Sequence, residues 1–375
     1  MKYCIVTYGC QMNVHESEKI AGILENMGYY TATETREEAD IIVFNTCAIR
    51  EGACERAFGN IGALKKMKKQ RPELIIVVCG CMSQKETIAN DLFKKFPFID
   101  LILGTFNVND LQIHLEQKKR HVELLSEGYI TEGLPYKRTS GENAWVNIMF
   151  GCDNFCTYCI VPYVRGREKS RTRADILEEI KSILKEGKYK RITLLGQNVN
   201  SYGNDSKENG SFANLLSDIC KLDGDFEIAF MTSHPKDITS EVIDVVASEK
   251  KIVKEIHLPM QSGSNKILEL MNRKYTKEKY FGIIEEIKTK IPKVRLTSDF
   301  IVGFPGETEE DFNETCDALK KVEFDGIFAF MYSVREGTVA EKMDGHLADE
   351  VKRKRVNELL KLEKKIQREK ECKKS

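Results

Sequence analysis

Gly151-Cys152-Asp153-Asn154-Phe155-Cys156-Thr157-Tyr158-Cys159 sets three cysteines in a C-x3-C-x2-C spacing. Three thiolates this close on one loop can hold three irons of a [4Fe–4S] cubane and leave the fourth iron without a protein ligand. An open iron is where a substrate or cosubstrate can bind, so the spacing points to chemistry rather than electron storage. A zinc knuckle is the bland alternative. Such sites more often pair C-x2-C halves with a fourth Cys or His nearby, and no histidine occurs between His121 and His234.

Outward from this loop, composition narrows the field. The 375 residues are enough for two or three domains, and 58 Lys plus Arg balance 58 Asp plus Glu. Nucleic-acid binding therefore has to come from a local patch and not from overall charge. Met1-Lys2 leads straight into the strand-like Tyr3–Tyr8, with no apolar signal region, and no apolar run approaches membrane-spanning length. Twelve cysteines in such a chain fit metal ligation and buried thiols in a reducing cytoplasm.

Upstream, β-branched apolar runs at Tyr3–Tyr8, Ile41–Asn45 and Leu74–Cys79, with a weaker one near Ile99–Leu103, alternate with helical patterns at Glu16–Met27, Glu51–Lys69 and Gln84–Lys95. This predicts an α/β domain over 1–130 built on a parallel sheet. The polar stretch from Gly128 to Asn143 reads as a linker, with its core at 131–143. From Ala144 to Ser375 a second series follows. Strands are predicted at Ala144–Met149, Arg191–Leu195, Phe226–Met231, Glu255–Leu258, Arg295–Val302 and Gly326–Met331. Helices are predicted at Ala174–Glu186, Ser211–Lys221, Ser240–Ala247, Thr276–Lys290 and Thr308–Val322. Six strands with intervening helices fit a partial (β/α)6 barrel at least as well as an open sheet. In a barrel, a loop after the first strand is where active-site residues stand. Val351–Ser375, with eleven Lys/Arg against four Asp/Glu, reads as a basic amphipathic helix, either packed on the barrel or touching RNA.

Three further cysteines fall at matched places in the first domain. Cys10 lies just past the first strand, Cys47 ends the second and Cys81 follows the third. The carboxyl ends of parallel strands open on one edge of the sheet, so residues about 35 apart in sequence can converge there. The trio is either a second cluster site with an open iron or three unrelated core thiols. Cys4, Cys54, Cys79, Cys220, Cys316 and Cys372 are expected to be ordinary buried thiols.

The loop with Tyr158 before its last cysteine resembles that of the radical S-adenosylmethionine (SAM) superfamily. In that superfamily SAM chelates the open iron, and one electron splits it to methionine and a 5′-deoxyadenosyl radical. Essentially the whole chain is similar to the methylthiotransferases within it. The similarity runs through Tyr8-Gly9-Cys10-Gln11-Met12-Asn13, Asn45-Thr46-Cys47, Gly80-Cys81-Met82, Gly151 to Arg167, Leu195 to Gly203, Thr232-Ser233-His234-Pro235, Gln261-Ser262-Gly263-Ser264 and Ile301 to Thr308. Gln11-Met12-Asn13 and Gly196-Gln197-Asn198-Val199-Asn200 look most like the members that act on N(6)-isopentenyl-adenosine beside the tRNA anticodon. Such members usually carry a C-terminal RNA-binding TRAM barrel. The present sequence stops without one, so weak tRNA affinity is expected.

The resemblance implies a TIM-like radical SAM barrel, SAM, and two [4Fe–4S] clusters, the first on Cys152, Cys156 and Cys159. The second, on Cys10, Cys47 and Cys81, supplies sulfur that a second SAM methylates. It also implies a flavodoxin- or ferredoxin-type electron donor and a tRNA anticodon stem-loop substrate for a monomeric enzyme. Related substrates are threonylcarbamoyl-adenosine in tRNA or a ribosomal-protein aspartate. A non-enzymatic iron–sulfur carrier or RNA-binding module would leave the Gly, Gln and Asn strand ends unexplained. For SAM, Tyr158 is expected by the adenine, Gly196, Gln197 and Asn198 by the methionine end, Gly303 and Gly306 where backbone approaches adenosine, and Gln261 as a polar contact. Arg165, Arg167 and Arg171, with Lys169 and Arg173, form a basic run read either as phosphate contacts or as a helix start with internal ion pairs. His234 and His257 are expected to be structural.

Overall fold

The computed structural model describes every residue except Tyr29, Ile49, Arg50, Tyr129, Ser140 and Ser375, and leaves out the side chains of Glu51, Ala53, Lys373 and Lys374. The expected linker and the expected C-terminal helix thus each include a residue outside the description.

Strands β1 (Lys2–Thr7), β2 (Thr31–Ala32), β3 (Ile41–Thr46), β4 (Ile75–Gly80), β5 (Leu101–Leu103) and β6 (His121–Glu123) form one sheet in the order β2-β1-β3-β4-β5-β6. Every pairing in it is parallel. Helices α1 (Gln11–Asn26), α2 (Glu51–Ala63), α3 (Lys65–Gln70), α4 (Glu86–Lys95) and α5 (Leu111–Glu116) cover it. The period-two alternation of a strand sends Ile42, Phe44, Ile76 and Val78 to the face under α2 and α4, where Ile61, Leu64 and Leu92 meet them. Ile41, Val43, Val77 and Cys79 face Ile20, Leu24 and Leu111 of α1 and α5 on the other side. With both faces buried, these strands read as continuous apolar runs.

Helix α1 begins five residues before its expected start. Cys10 is its N-cap and uses no side-chain hydrogen bond there, so the usual Ser/Thr/Asp signal is missing. The helix is buried nearly all round, including Asn13, Glu16, Glu18 and Lys19. Part of that burial comes from the stretch expected to be a linker. Lys137 N donates to Glu18 O at 2.9 Å, Thr139 N donates to Glu18 Oε1 at 2.7 Å, and a Cβ on Gly22 would stand 2.2 Å from Pro135 O. The segment is a strap on α1.

The chain divides into a first unit of 1–151 with 160–169 and a second of 152–159 with 170–375. The boundary thus differs from the one expected at 131–143. The first unit keeps β7 (Asn143–Asn147), β8 (Met149–Phe150) and α6 (Val161–Arg165), and the chain passes between units at β9 (Lys169–Ser170). The reason for α6 is local: Ile160 and Val164 bury against Ala48 and Cys81.

The second unit alternates α7 (Arg173–Lys185), β10 (Arg191–Leu195), α8 (Phe212–Cys220), β11 (Glu227–Phe230), α9 (Ser240–Ser248), β12 (Glu255–His257), α10 (Asn265–Leu270), α11 (Lys277–Lys290), β13 (Arg295–Val302), α12 (Glu309–Val322) and β14 (Gly326–Met331). Strands pair in parallel, β10 with β11 and β12 with β13 with β14. An isolated parallel bridge joins Ile228 of β11 to Ile252, three residues before β12. Thr172, Ser211, Thr239, Ser264, Thr276 and Thr308 cap the helices that follow, each accepting a backbone N–H.

Helix α13 (Asp349–Lys374) packs on this unit. Leu359 and Ile366 are buried, as are Arg355 and Glu307, which pair at 2.6 Å, and Lys370 reaches Asp325 at 2.8 Å. Burial raises the Glu307 carboxyl above its ordinary value even though Gly303 N–H and Arg355 pull it down. Arg355→Met removes the cation and leaves Glu307 facing an apolar side chain. The expected loss is about 3–5 kcal/mol, in line with other broken buried pairs, read as a lowered thermal unfolding midpoint.

Candidate functional site

In the first unit the pairings Thr7↔Asn45 and Thr46↔Gly80 bring the ends of β1, β3 and β4 level. Cys10, Cys47 and Cys81 leave those ends. Asn13 ties the loops together: its Nδ2 donates to Asn45 Oδ1 at 3.1 Å and to Thr46 O at 2.9 Å, while Asn45 Nδ2 donates to Asn13 O at 2.9 Å. Thr46 O also accepts from Cys81 N at 2.9 Å. Gly9, at φ +118°, is needed because a Cβ there would stand 2.7 Å from Cys47 Cβ. Cys47 and Cys81 are buried and Cys10 is half-buried. Burial pushes the Cys81 thiol up to about 12, with Arg165 opposing that rise and Glu16, Cys47 and Cys10 adding to it. The structure therefore gathers the trio. It also reveals Arg165 and Glu16, whose roles the sequence did not show: Arg165 Nε donates to Cys81 Sγ at 3.0 Å, and Glu16 Oε2 stands 3.7 Å from Arg165 Nη2.

In the second unit Cys156 is buried, with Cys152 and Cys159 half-buried. Their loop is fixed at several points. Asn272 Nδ2 donates to the carbonyls of Asn154 at 3.3 Å and Phe155 at 3.0 Å. Thr157 N donates to Met271 O at 3.1 Å, and Cys159 N to Cys156 O at 2.9 Å. Arg273 is buried among them, donating to Cys156 Sγ at 3.4 Å, Tyr158 Oη at 3.5 Å, Tyr275 Oη at 3.0 Å and Pro259 O at 3.1 Å. Tyr158 packs beside Ile267, Met271 and Phe304, and burial holds its hydroxyl well above the ordinary range.

Beyond β10, β11 and β12, several enclosed polar atoms have no hydrogen-bond partner among the described residues. They are Gln197 Oε1, Asn198 Oδ1, Asn200 Nδ2, Ser233 Oγ, His234 Nε2 and Gln261 Oε1. Asn198 is oriented by donating to Asp237 at 2.6 Å, and Asn200 by accepting from His234 N at 3.1 Å. Lys236 N donates to His234 Nδ1 at 3.1 Å. That bond leaves the ring's proton on Nε2, and burial helped by Arg273 drives its pKa down to about 2, so the ring is neutral. Thr232 and Gln261 each hold φ +70° and Phe155 φ +45°, backbone that non-glycine residues adopt at a cost and that clusters at ligand sites. Three acceptors, two donors and a hydroxyl that can do either, left open in one unit, fit a ligand with both kinds of polar group, such as SAM.

The structure alters other expectations. Arg165 and Arg171 are buried, the former on Cys81 and Glu16 and the latter with Glu179 at 2.5 Å, so neither guanidinium is presented to phosphate. Arg173 pairs with Asp218. Arg167 is exposed. At Gly303 a Cβ would meet Lys352 Cγ of α13 at 2.4 Å, so packing by itself requires glycine there. Gly306 N donates to Gly345 O at 2.9 Å, and Gly196 follows β10 directly. Cys372 is exposed and not buried. Among the described residues, no three His, Cys, Asp or Glu are gathered as for one metal ion. A cubane places its thiolates on different irons, so its ligands need not meet at one point.

Residues 2–104 match the model of Uncharacterized protein family UPF0004, and residues 146–319 match that of the Radical SAM superfamily. Over 366 residues the chain is 53% identical to the tRNA-2-methylthio-N(6)-dimethylallyladenosine synthase of Carboxydothermus hydrogenoformans, covering 96% of this chain and 83% of that one. The chain belongs to this synthase family. The synthase of Desulforamulus reducens is 50% identical, over 96% of this chain and 80% of its own length. The solved radical SAM methyltransferase TsrM from Kitasatospora setae, with cobalamin and a [4Fe–4S] cluster bound, is similar at TM-score 0.65 and 14% identity. That likeness covers 91% of this chain and 76% of TsrM and shows a shared fold. As a member of the synthase family, the chain is a radical SAM enzyme whose cofactors are SAM and two [4Fe–4S] clusters.

Proposed function

We propose that this chain converts N(6)-dimethylallyladenosine next to the tRNA anticodon to its 2-methylthio derivative. We assign the radical-generating cluster to Cys152, Cys156 and Cys159 and the sulfur-supplying one to Cys10, Cys47 and Cys81. The observation that carries this reading is the pair of cysteine trios, each on a different compact unit, in a chain 53% identical to a named synthase. C2–H of adenine is an unactivated aromatic bond beyond a general base at neutral pH, and reduced cluster plus SAM supply a carbon-centred radical that can break it.

The protein's own work is holding and orienting. Gln197, Asn198 and Gln261 offer acceptors to an ammonium or hydroxyl, and Asn200 and neutral His234 offer donors to a carboxylate or base nitrogen. Arg273 keeps a positive charge beside Cys156, favouring the thiolate that ligates iron. A tRNA anticodon stem-loop is the substrate, a flavodoxin- or ferredoxin-type protein the electron donor, and the cytoplasm the site of action of a monomer. No helix among the described residues is long and apolar enough to cross a membrane.

Mass spectrometry of tRNA nucleosides from a deletion strain tests the assignment. The 2-methylthio dimethylallyl nucleoside should vanish, its unthiolated precursor accumulate, and plasmid-borne chain restore it. Loss of a methylthiolated threonylcarbamoyl nucleoside instead would overturn it.

A further inference from the structure

Arg165 is a buried arginine whose close partner is a sulfur. Arg171 and Arg355 set guanidinium directly on carboxylate, with Glu179 at 2.5 Å and Glu307 at 2.6 Å, while Arg273 touches Cys156 Sγ more loosely, at 3.4 Å. Arg165 instead makes its short contact with sulfur, Nε to Cys81 Sγ at 3.0 Å. Its carboxylate, Glu16, stands off at 3.7 Å. All three residues are more than nine-tenths buried, and among the described residues neither Arg165 Nη2 nor Glu16 Oε2 has a hydrogen-bond partner. A buried cation needs compensation from anions or acceptors close by. Cys81 becomes an anion when it ligates iron, and hydrogen bonds to ligand sulfur together with local charge are what the protein uses to set a cluster's potential.

We propose that Arg165 and Glu16 act as an opposed pair of positioning residues that sets the reduction potential of the cluster on Cys10, Cys47 and Cys81. The N–H···S bond and positive charge of Arg165 stabilise the reduced cluster, and the Glu16 carboxylate offsets that effect. This inference rests on the reading of the trio as a cluster site. It assigns to Arg165 at the end of α6, six residues past Cys159 in the chain, a role in the chemistry of the other trio.

The test is an anaerobic redox titration followed by electron paramagnetic resonance. The parent is the full chain with Cys152, Cys156 and Cys159 changed to Ala, so that only one cluster titrates. On that parent, Arg165→Met should move the midpoint to a more negative potential. Arg165→Lys, which keeps charge but not the fixed Nε–H, should move it less, and Glu16→Gln should move it to a less negative one. Midpoints that stay together while every variant keeps its iron overturn the pair. If Arg165→Met does not retain iron, Glu16→Gln decides alone, and a midpoint that fails to rise overturns the proposal. A parent holding no iron overturns the reading of the trio, and the pair with it.

Discussion

Changing Cys152, Cys156 and Cys159 together to alanine should abolish 5′-deoxyadenosine formation from SAM and leave about half of the iron and sulfide, as one cubane on the remaining trio. Each trio is held by its own set of bonds. The 152–159 loop is bonded to Asn272, Met271 and Arg273 within the second unit. The sheet edge that carries Cys10, Cys47 and Cys81 is braced by Asn13 and Asn45 within the first. Removing three thiols from one loop touches none of the bonds that build the other. Iron and sulfide analysis with product chromatography after anaerobic reduction reads both quantities. Loss of all iron, or of none, would sink the idea of two independent sites.

The complementary change, Cys10, Cys47 and Cys81 to alanine, is expected to keep reductive SAM cleavage and eliminate the methylthio product entirely. Two of these thiols are buried, so alanine replaces each with a smaller apolar group and costs about 1 kcal/mol per site from lost packing. That is too little to unfold a sheet covered on both faces. A normal rate of methylthiolation by this variant would show that sulfur comes from elsewhere.

The placement of both cysteine trios was legible because each is tied to a local pattern. The C-x3-C-x2-C loop is a single short segment, and Cys10, Cys47 and Cys81 each follow a strand whose apolar run is plain. Parallel pairing does the rest. The strands of the second unit were legible for the same reason. What sequence did not disclose are partners chosen by the tertiary fold. Arg165 and Arg171 look like members of a solvent-facing basic run, yet each is buried, and nothing in their neighbours' spacing announces Cys81 or Glu179. Asn200 and Ser233 belong to strand-end loops whose polar side chains take meaning only when their unpaired atoms are seen together, and Arg273, between α10 and α11, finds its partners on Cys156 and Tyr158 only through the fold. The start of α1 was hidden by a cysteine at its N-cap, and the strap over it by polar residues that look like a linker but bond to Glu18. At Gly303 the packing of Lys352 against the backbone was likewise invisible in the sequence.

The hydrogen bonds among Asn13, Asn45 and Thr46 have a consequence for how this protein comes to hold its metal. In small zinc domains the ligands assemble only as the ion binds, so metal affinity and folding are one transition. Here the three loops are cross-braced through amide and carbonyl groups of the polypeptide, on a sheet already buried on both faces. The entropy of bringing Cys10, Cys47 and Cys81 together is met by the sheet. On the assignment of a cluster to this trio proposed above, cluster delivery would be a docking event on a finished receptacle, and a chain that lost the cluster to oxygen would keep the shape that lets it be reloaded.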